Sequence, residues 1–135
     1  MGFTNDQTSN ITGTYPSLVW AGGGISLATT KANLKSMVQQ AQSARARATL
    51  LSPPPIRYEP YLTQSAAYLA MLLEIVAETG CEYMDVYTRV NALSSGGQDA
   101  LYIPTDLLGH WSGVGHGFCA EMCAEAGNEN CFAPF

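Results

Sequence analysis

Two polar segments contain side chains suited to acyl-transfer chemistry. Asp106 precedes His110 by four residues, just before the last predicted helix. Such a histidine can take the proton of an attacking hydroxyl, while a carboxylate fixes the tautomer of its ring. Near the start of the chain, the side-chain amide of Asn5 can hydrogen-bond a developing oxyanion. Each residue also has a simpler interpretation, respectively as a turn-forming aspartate, a helix-capping histidine and part of a terminal Asn-Asp turn.

The chain lacks a recognisable serine nucleophile for this histidine. A nucleophilic serine stands on a strained turn between a strand and a helix, as in the G-x-S-x-G motif, and the sequence has no such motif. Ser52 is followed by prolines, and the other candidates lie in predicted loops: Ser94, Ser95 and Ser112. We therefore predict that no serine of this chain attacks an ester.

Four cysteines, Cys81, Cys119, Cys123 and Cys131, leave more than one interpretation open. Cys119 and Cys123 face the same side of a predicted helix. Cys131 follows closely enough to fold back on either, so a disulfide and inert free thiols are both compatible with the sequence. With His116 the spacing resembles a zinc site, but it lacks a CxxC pair. We predict no metal, no cofactor and a packing role for His116.

The composition excludes several classes of partner. The formal charge is −5 and there are only 6 Lys and Arg residues, too few for a nucleic-acid face or a polybasic membrane patch. The longest apolar run, about Tyr68–Ala77, contains Glu74 and is too short to cross a bilayer. The first residues lack the pattern of a signal peptide. We expect a soluble globular protein, whose compartment the sequence does not indicate.

Three segments have apolar residues at helical spacing: about Thr30–Arg47, about Thr63–Thr79, and Ser112 or Gly113 to Gly127. Thr29 or Thr30 is the predicted cap of the first helix. Gly80 is placed to end the second helix in the left-handed conformation. The predicted apolar stripes contain Leu69, Leu72, Leu73 and Val76 in the second helix, and Val114, Phe118 and Met122 in the third.

Two short runs are predicted strands: Ala48–Ser52, which prolines stop, and Cys81–Tyr87. Residues 1–29 are rich in loop-forming types, although Leu18–Trp20 fits either a short strand or a packed loop. Another loop is predicted around Ser94–Gly97.

Strands that alternate with amphipathic helices indicate an α/β fold, a three-layer flavodoxin-like sandwich with a parallel sheet. We predict one partial domain over 1–135, with a loop-rich segment at 1–29, βαβ units and the final helix over 30–127, and a tail at 128–135. Two strands make a poor parallel sheet. We therefore expect a domain truncated on its N-terminal side, with an exposed sheet edge.

Five blocks of the sequence are similar, in their order, to those of one hydrolase family: Met1–Asp6, Asn33–Val38, Leu50–Pro55, Met84–Tyr87 and His110–His116. They resemble a Gly-Thr-Asn-Asp block, an Asn-Leu-x2-Met helix, a strand ending in prolines, a Val-Asp-Val-Tyr strand and a final Asp/His block. That family is the SGNH (GDSL-type) ester hydrolases. The resemblance runs from Gly2 to about Ala124 and corresponds to the C-terminal half of the domain.

The resemblance implies an enzyme that cleaves acyl esters, often acetyl groups on carbohydrates. It implies that His110 is the general base, Asp106 its orienting carboxylate and Asn5 an oxyanion donor. The chain departs from the family pattern because the Gly-Asp-Ser block that supplies the nucleophile is absent. In addition, Asp106 stands four rather than three residues before His110, and Trp111 replaces the usual proline.

We therefore expect a fragment or subunit of an SGNH-type ester hydrolase that is inactive alone, with its serine either on an upstream chain or lost by truncation. An acyl ester or carbohydrate ligand fits this expectation. We predict that Trp20 and Trp111 are core or rim aromatics, although they leave carbohydrate binding open. The alternative is a non-catalytic structural or binding module of a larger assembly. In either case an upstream chain or a homo-oligomer would cover the exposed sheet edge.

Overall fold

The computed structural model describes residues 11–12, 19–20, 25–55, 61–104 and 110–130. The chain forms two compact units, Met1–Tyr87 and Thr88–Phe135. The elements, in chain order, are β1 (Ile11–Thr12), β2 (Val19–Trp20), α1 (Leu27–Ser43), β3 (Thr49–Leu51), α2 (Tyr61–Thr79), β4 (Glu82–Met84), α3 (Val86–Asn91), α4 (Ser95–Ala100) and α5 (Gly113–Asn130).

A parallel β–α–β crossover organises the first unit. β3 pairs with β4 in parallel, with Thr49 opposite Glu82 and Leu51 opposite Met84. Parallel neighbours need a long connection, and α2 supplies it. The predicted α/β class with a parallel sheet is therefore confirmed. A second, antiparallel pair joins β1 to β2, so the strand interpretation of Val19–Trp20 is also confirmed.

The core of the first unit lies between the two long helices and one face of the β3–β4 pair. Leu72 and Ile75 are fully buried in α2, and Val38 of α1 is 4% exposed. Leu50 and Tyr83 contribute partly buried side chains from the sheet. The buried members of this cluster are Val38, Tyr68, Met71, Leu72, Ile75 and Cys81.

The predicted apolar stripe of α2 is wrong at one residue. Leu73 is 52% exposed, whereas its neighbour Leu72 is fully buried. The buried arc of the helix instead includes Tyr68 and Met71, each 3% exposed. Tyrosine has a polar hydroxyl but also a large apolar ring that favours burial. Because Tyr68 is buried, the inner face of α2 is directed away from Leu73.

The N-terminal end of α1 also differs from the prediction. The helix begins at Leu27, and Ser26 caps it by accepting the Thr29 N–H at 3.1 Å. Thr30, a predicted cap, is buried inside the first turns instead. At the end of α2 the prediction is confirmed, because Gly80 has a φ of +66°, a conformation that glycine adopts without steric cost.

Two further local predictions are wrong. The strand expected to continue to Tyr87 ends at Met84, and a short helix, α3, begins at Val86. The loop expected around Ser94–Gly97 is partly the helix α4, which Ser94 caps by accepting the Gly97 N–H at 3.2 Å. A serine side chain satisfies one of the unpaired N–H groups of a first helical turn and so favours the helix over the loop.

Lysines of α1 bridge to glutamates of α2 on the exposed side of the helix pair. The Lys31 Nζ lies 2.7 Å from carboxylate oxygens of both Glu74 and Glu78, and the Lys35 Nζ lies 2.6 Å from Glu78. Two hydrogen bonds lower the pKa of Glu78 to about 2, and the one from Lys31 has a larger effect than the one from Lys35. The pairs are solvated, so their contribution to stability is small and sensitive to salt.

An NMR titration of the Glu78 carboxyl group is expected to show a midpoint near 2 rather than 4.5. Because the folded-state pKa is lowered, the stabilisation is complete above pH 4.5 and is lost as the pH falls toward 2. Lys31→Met should move the midpoint upward, and Lys35→Met should move it less. A midpoint near 4.5 in the unaltered protein would contradict this network.

In the second unit, Trp111 is the centre of packing around the start of α5. It forms an isolated antiparallel bridge with Tyr102, and their rings meet edge to face at 6.5 Å. The helix begins at Gly113, in agreement with the prediction, but extends past Gly127 to Asn130. Its predicted stripe is correct at Met122, which is 3% exposed, and wrong at Val114, which is 61% exposed.

Within the residues that the structure describes, none of the helices combines the length and the apolarity needed to cross a bilayer.

Candidate functional site

His110 lies on the exposed connection that leads into α5. Its carbonyl oxygen accepts the Ile103 N–H at 3.0 Å, beside the bridge between Tyr102 and Trp111. The backbone is thus held by a neighbouring segment while the imidazole remains accessible to solvent. A general base needs this combination of a fixed backbone and an accessible side chain.

The other two predicted site residues, Asp106 and Asn5, lie outside the described residues. The proposed pairing of Asp106 with His110 and the oxyanion role of Asn5 therefore stay predictions.

Two hydrogen bonds donated by Ser112 anchor the chain on the C-terminal side of His110. The Ser112 N–H donates to the Leu101 carbonyl oxygen at 2.8 Å, and the Ser112 hydroxyl donates to the Ala100 carbonyl oxygen at 2.7 Å. The same hydroxyl accepts the Gly115 N–H at 3.2 Å and so caps α5. Together with the bond from the Ile103 N–H to the His110 carbonyl oxygen, these contacts hold the backbone at His110 and at Ser112.

Trp111, the residue after His110, is 9% exposed, and its indole Nε1 has no hydrogen-bond partner among the described residues. The ring of His116 lies 6.4 Å from that of Trp111, at a tilt of 52°. His116 is on the exposed side of α5 and its N–H donates to the Ser112 carbonyl oxygen at 3.0 Å. These contacts support the packing role predicted for His116. The burial of Trp111 confirms the core or rim position predicted for it.

In the first unit, Ser52 stands at the carboxyl end of β3, the edge where α/β folds place ligands. Its side chain is 3% exposed. The hydroxyl oxygen accepts the Tyr87 N–H at 2.8 Å, and the hydroxyl lies 3.4 Å from Asp85 Oδ1. Burial raises the pKa of Tyr83, an effect that its hydrogen bond with Ser52 opposes and the charge of Asp85 reinforces. Ser52 therefore holds the start of α3 and is not free to act as a nucleophile.

Two of the other serines considered as nucleophiles, Ser94 and Ser112, have similar roles. Ser94 and Ser112 each accept a backbone N–H at the first turn of a helix, respectively α4 and α5. A hydroxyl committed to a helix cap stabilises the fold, and neither serine stands on a strand-to-helix elbow. A serine directly before a helical segment is a sequence signal that would have revealed both caps.

Ser52→Ala is expected to lower the free energy of unfolding by about 1–2 kcal/mol, because the Tyr87 N–H at the start of α3 loses its buried partner. Urea denaturation followed by far-UV circular dichroism measures the change. Ser43→Ala is the matched control, since the exposed Ser43 hydroxyl bonds only the Gln39 carbonyl oxygen of its own helix. That control should change stability by less than about 0.5 kcal/mol. An equal, small effect of both substitutions would contradict the capping role.

The cysteines that the structure describes, Cys81, Cys119 and Cys123, are free thiols. Over the same residues, no group of three or more His, Cys, Asp and Glu side chains is placed to hold a metal ion. Cys131, the remaining cysteine of the sequence, lies outside the described part.

The architecture is similar to that of a solved structure. The chain is similar to the lipase/acylhydrolase from Enterococcus faecalis, with a TM-score of 0.63 and 21% sequence identity. The similarity covers 78% of this chain and 53% of that protein, so the chain spans about half the length of the structure it matches. No protein-family model and no curated protein matches the sequence. The chain therefore shares its α/β fold with that lipase/acylhydrolase, in agreement with the fold that the resemblance of the sequence blocks implies.

Proposed function

We propose that this chain is a fragment or subunit of an SGNH-type ester hydrolase that carries the general base and is inactive alone. The observation that carries the proposal is the similarity in fold to a lipase/acylhydrolase over 78% of the chain. The exposed His110 supports it, because hydrogen bonds hold the backbone at His110 and at Ser112. The substrate class we propose is an acyl ester, with an acetyl group on a carbohydrate as the favoured example.

In this proposal a serine outside these 135 residues attacks the ester carbonyl. His110 accepts the serine proton and then returns it to the departing alcohol, while the Asp106 carboxylate fixes the ring tautomer. The side-chain amide of Asn5 donates a hydrogen bond to the oxyanion of the tetrahedral intermediate.

The proposed inactivity of the chain alone rests on its serines. The sequence contains no Gly-Asp-Ser block. The buried Ser52 hydroxyl accepts the N–H of Tyr87, and those of Ser94 and Ser112 cap helices. A hydrolase without its nucleophile retains only a small part of its rate enhancement.

The parallel sheet offers a place for the missing segment. Within the described part of the chain, β3 pairs with β4 along one edge and has no strand partner along the other. An unpaired strand edge binds another strand readily. We propose that the serine-bearing segment pairs there. Light scattering tests this idea: the isolated chain should self-associate through the open edge, and a stable monomer would count against it.

The chain alone should neither hydrolyse p-nitrophenyl acetate faster than free imidazole nor form a serine adduct with a fluorophosphonate probe. Intact-mass and peptide mass spectrometry detect such an adduct. His110→Ala should leave the background rate of the isolated chain almost unchanged. Rapid hydrolysis that disappears in His110→Ala, or a labelled serine, would contradict the proposed absence of a nucleophile.

A second candidate function is a non-catalytic structural or binding module of a larger assembly. Two large apolar side chains of the first unit favour it, because Met37 is 65% exposed and Leu73 is 52% exposed. Apolar side chains at such positions can contact a partner protein. The His110→Ala variant separates the two candidates. A module would bind its partner equally well with alanine at position 110, and it would confer no esterase activity on that partner.

A further inference from the structure

Two thiols stand one helical turn apart on α5, at positions that have no assigned part in ester chemistry. Cys119 is half-buried, Cys123 is exposed, and both are free. The two residues are four positions apart in α5, so their side chains lie next to each other on one face of the helix. The exposed Cys123 gives solutes access to the pair.

The geometry of a helix disfavours a direct disulfide between these residues. Side chains four positions apart on a helix have Cβ atoms about 5–6 Å apart, whereas a disulfide needs about 3.5–4.5 Å. The pair is better suited to a ligand that fits between the sulfur atoms.

The number and the chemistry of the donor atoms indicate which kind of metal ion would bind. A structural zinc ion requires four ligands in a tetrahedron, but the described residues contain no group of three or more metal-binding side chains. Two thiolates are soft ligands, and soft ligands prefer Cu(I) among the biological metals. A monovalent soft ion is also satisfied by two sulfur atoms, and the helix holds Cys119 and Cys123 in place before the ion arrives.

We propose that Cys119 and Cys123 form a two-coordinate binding site for a soft monovalent metal ion of the Cu(I) type. Binding forms two sulfur–metal bonds, breaks two S–H bonds and releases the two protons to solvent; the oxidation states of copper and sulfur do not change. Because the protons compete with the metal, affinity is expected to fall as the pH falls. The site is independent of His110 and of the proposed esterase function.

The test is a titration of the full chain with Cu(I), under anaerobic conditions, in competition with the chromogenic chelator bicinchoninate. We expect one Cu(I) per chain and the release of about two protons on binding. Cys119→Ser and Cys123→Ser should each weaken binding by at least about tenfold, the lower end of the loss seen when a metal site loses one supporting group. The double variant measures the background from other groups.

Two controls separate this pair from the remaining cysteines. Cys81→Ala removes a buried thiol of the first unit, and Cys131→Ser removes the thiol that follows α5; both should bind Cu(I) as the unaltered chain does. Far-UV circular dichroism verifies that each variant is folded, and Cys123→Ser alters an exposed position that tolerates serine. Unchanged affinity in both Cys119→Ser and Cys123→Ser, or a loss confined to Cys131→Ser, would overturn the proposal.

Discussion

Leu72→Ala is expected to lower the free energy of unfolding by about 2–5 kcal/mol, because it leaves a cavity at the centre of the first unit. The Leu72 side chain is 0% exposed and belongs to the cluster that joins α1, α2 and the sheet. Interiors pack densely, so the surrounding side chains collapse only partly into the space left by the missing atoms. Urea denaturation followed by far-UV circular dichroism measures the loss.

Leu73→Ala is the matched control for this prediction. It removes the same atoms from the adjacent residue of the same helix, but Leu73 is 52% exposed. Since alanine is also a slightly better helix former than leucine, we expect a change within about 0.5 kcal/mol. A similar loss from both substitutions would mean that the orientation of α2 described above is wrong.

Gly115→Ala is expected to destabilise the second unit by about 1–3 kcal/mol through overpacking. A Cβ atom at this position would overlap the Leu101 carbonyl oxygen, and it would lie 2.9 Å from Cε3 and 3.1 Å from Cβ of Trp111. That carbonyl oxygen accepts the N–H of Ser112, so it cannot move without disturbing the start of α5. Fluorescence of Trp111, in a Trp20→Phe background, follows the unfolding of this unit during a urea titration.

Gly117→Ala is the matched control on the same helix, and we expect the opposite result from it. A Cβ atom at Gly117 meets nothing within 4 Å, and alanine favours the helix over glycine by up to about 1 kcal/mol. We therefore expect this variant to be as stable as the unaltered protein or more stable. If Gly115→Ala were also stabilising, the close approach of α5 to Leu101 would be contradicted.

Local sequence patterns were sufficient for features that depend on neighbouring residues. The spacing of apolar residues predicted α1, α2 and α5, and Gly80 was identified as the end of α2 because only a left-handed residue type fits there. The alternation of strands and helices predicted the parallel β3–β4 pair. These predictions succeed because backbone conformation and burial follow one periodic pattern.

Features that depend on distant residues were missed. The start of α3 is stabilised by Ser52, whose hydroxyl accepts an N–H from Tyr87, 35 residues later. No local pattern around Val86 reveals that contact, so the strand β4 was predicted to be too long. Likewise, the burial of Tyr68 against α1 decides which side of α2 faces inward. Tertiary packing overrides local preference at both places.

The candidate site also combines a feature predictable from neighbouring residues with contacts that depend on distant residues. The position of His110 before a helix was predictable from the sequence, and the structure places it there. The contacts of Ile103 and Trp111 that support it were not predictable. They depend on the bridge between Tyr102 and Trp111, and no sequence motif indicates that pairing. The roles assigned to Asp106 and Asn5 depend on the resemblance of sequence blocks.

The most direct test of the account joins this chain to a segment that contains a Gly-Asp-Ser block, encoded upstream of Met1 in the same or a neighbouring reading frame. The measurement is the rate of acetyl-ester hydrolysis by the combined protein. We predict that the combination is active, that His110→Ala lowers its rate by about 10²–10⁴-fold, and that the exposed His116→Ala control does not. Equal rates for the two histidine variants, or the absence of any such upstream segment, would contradict the account.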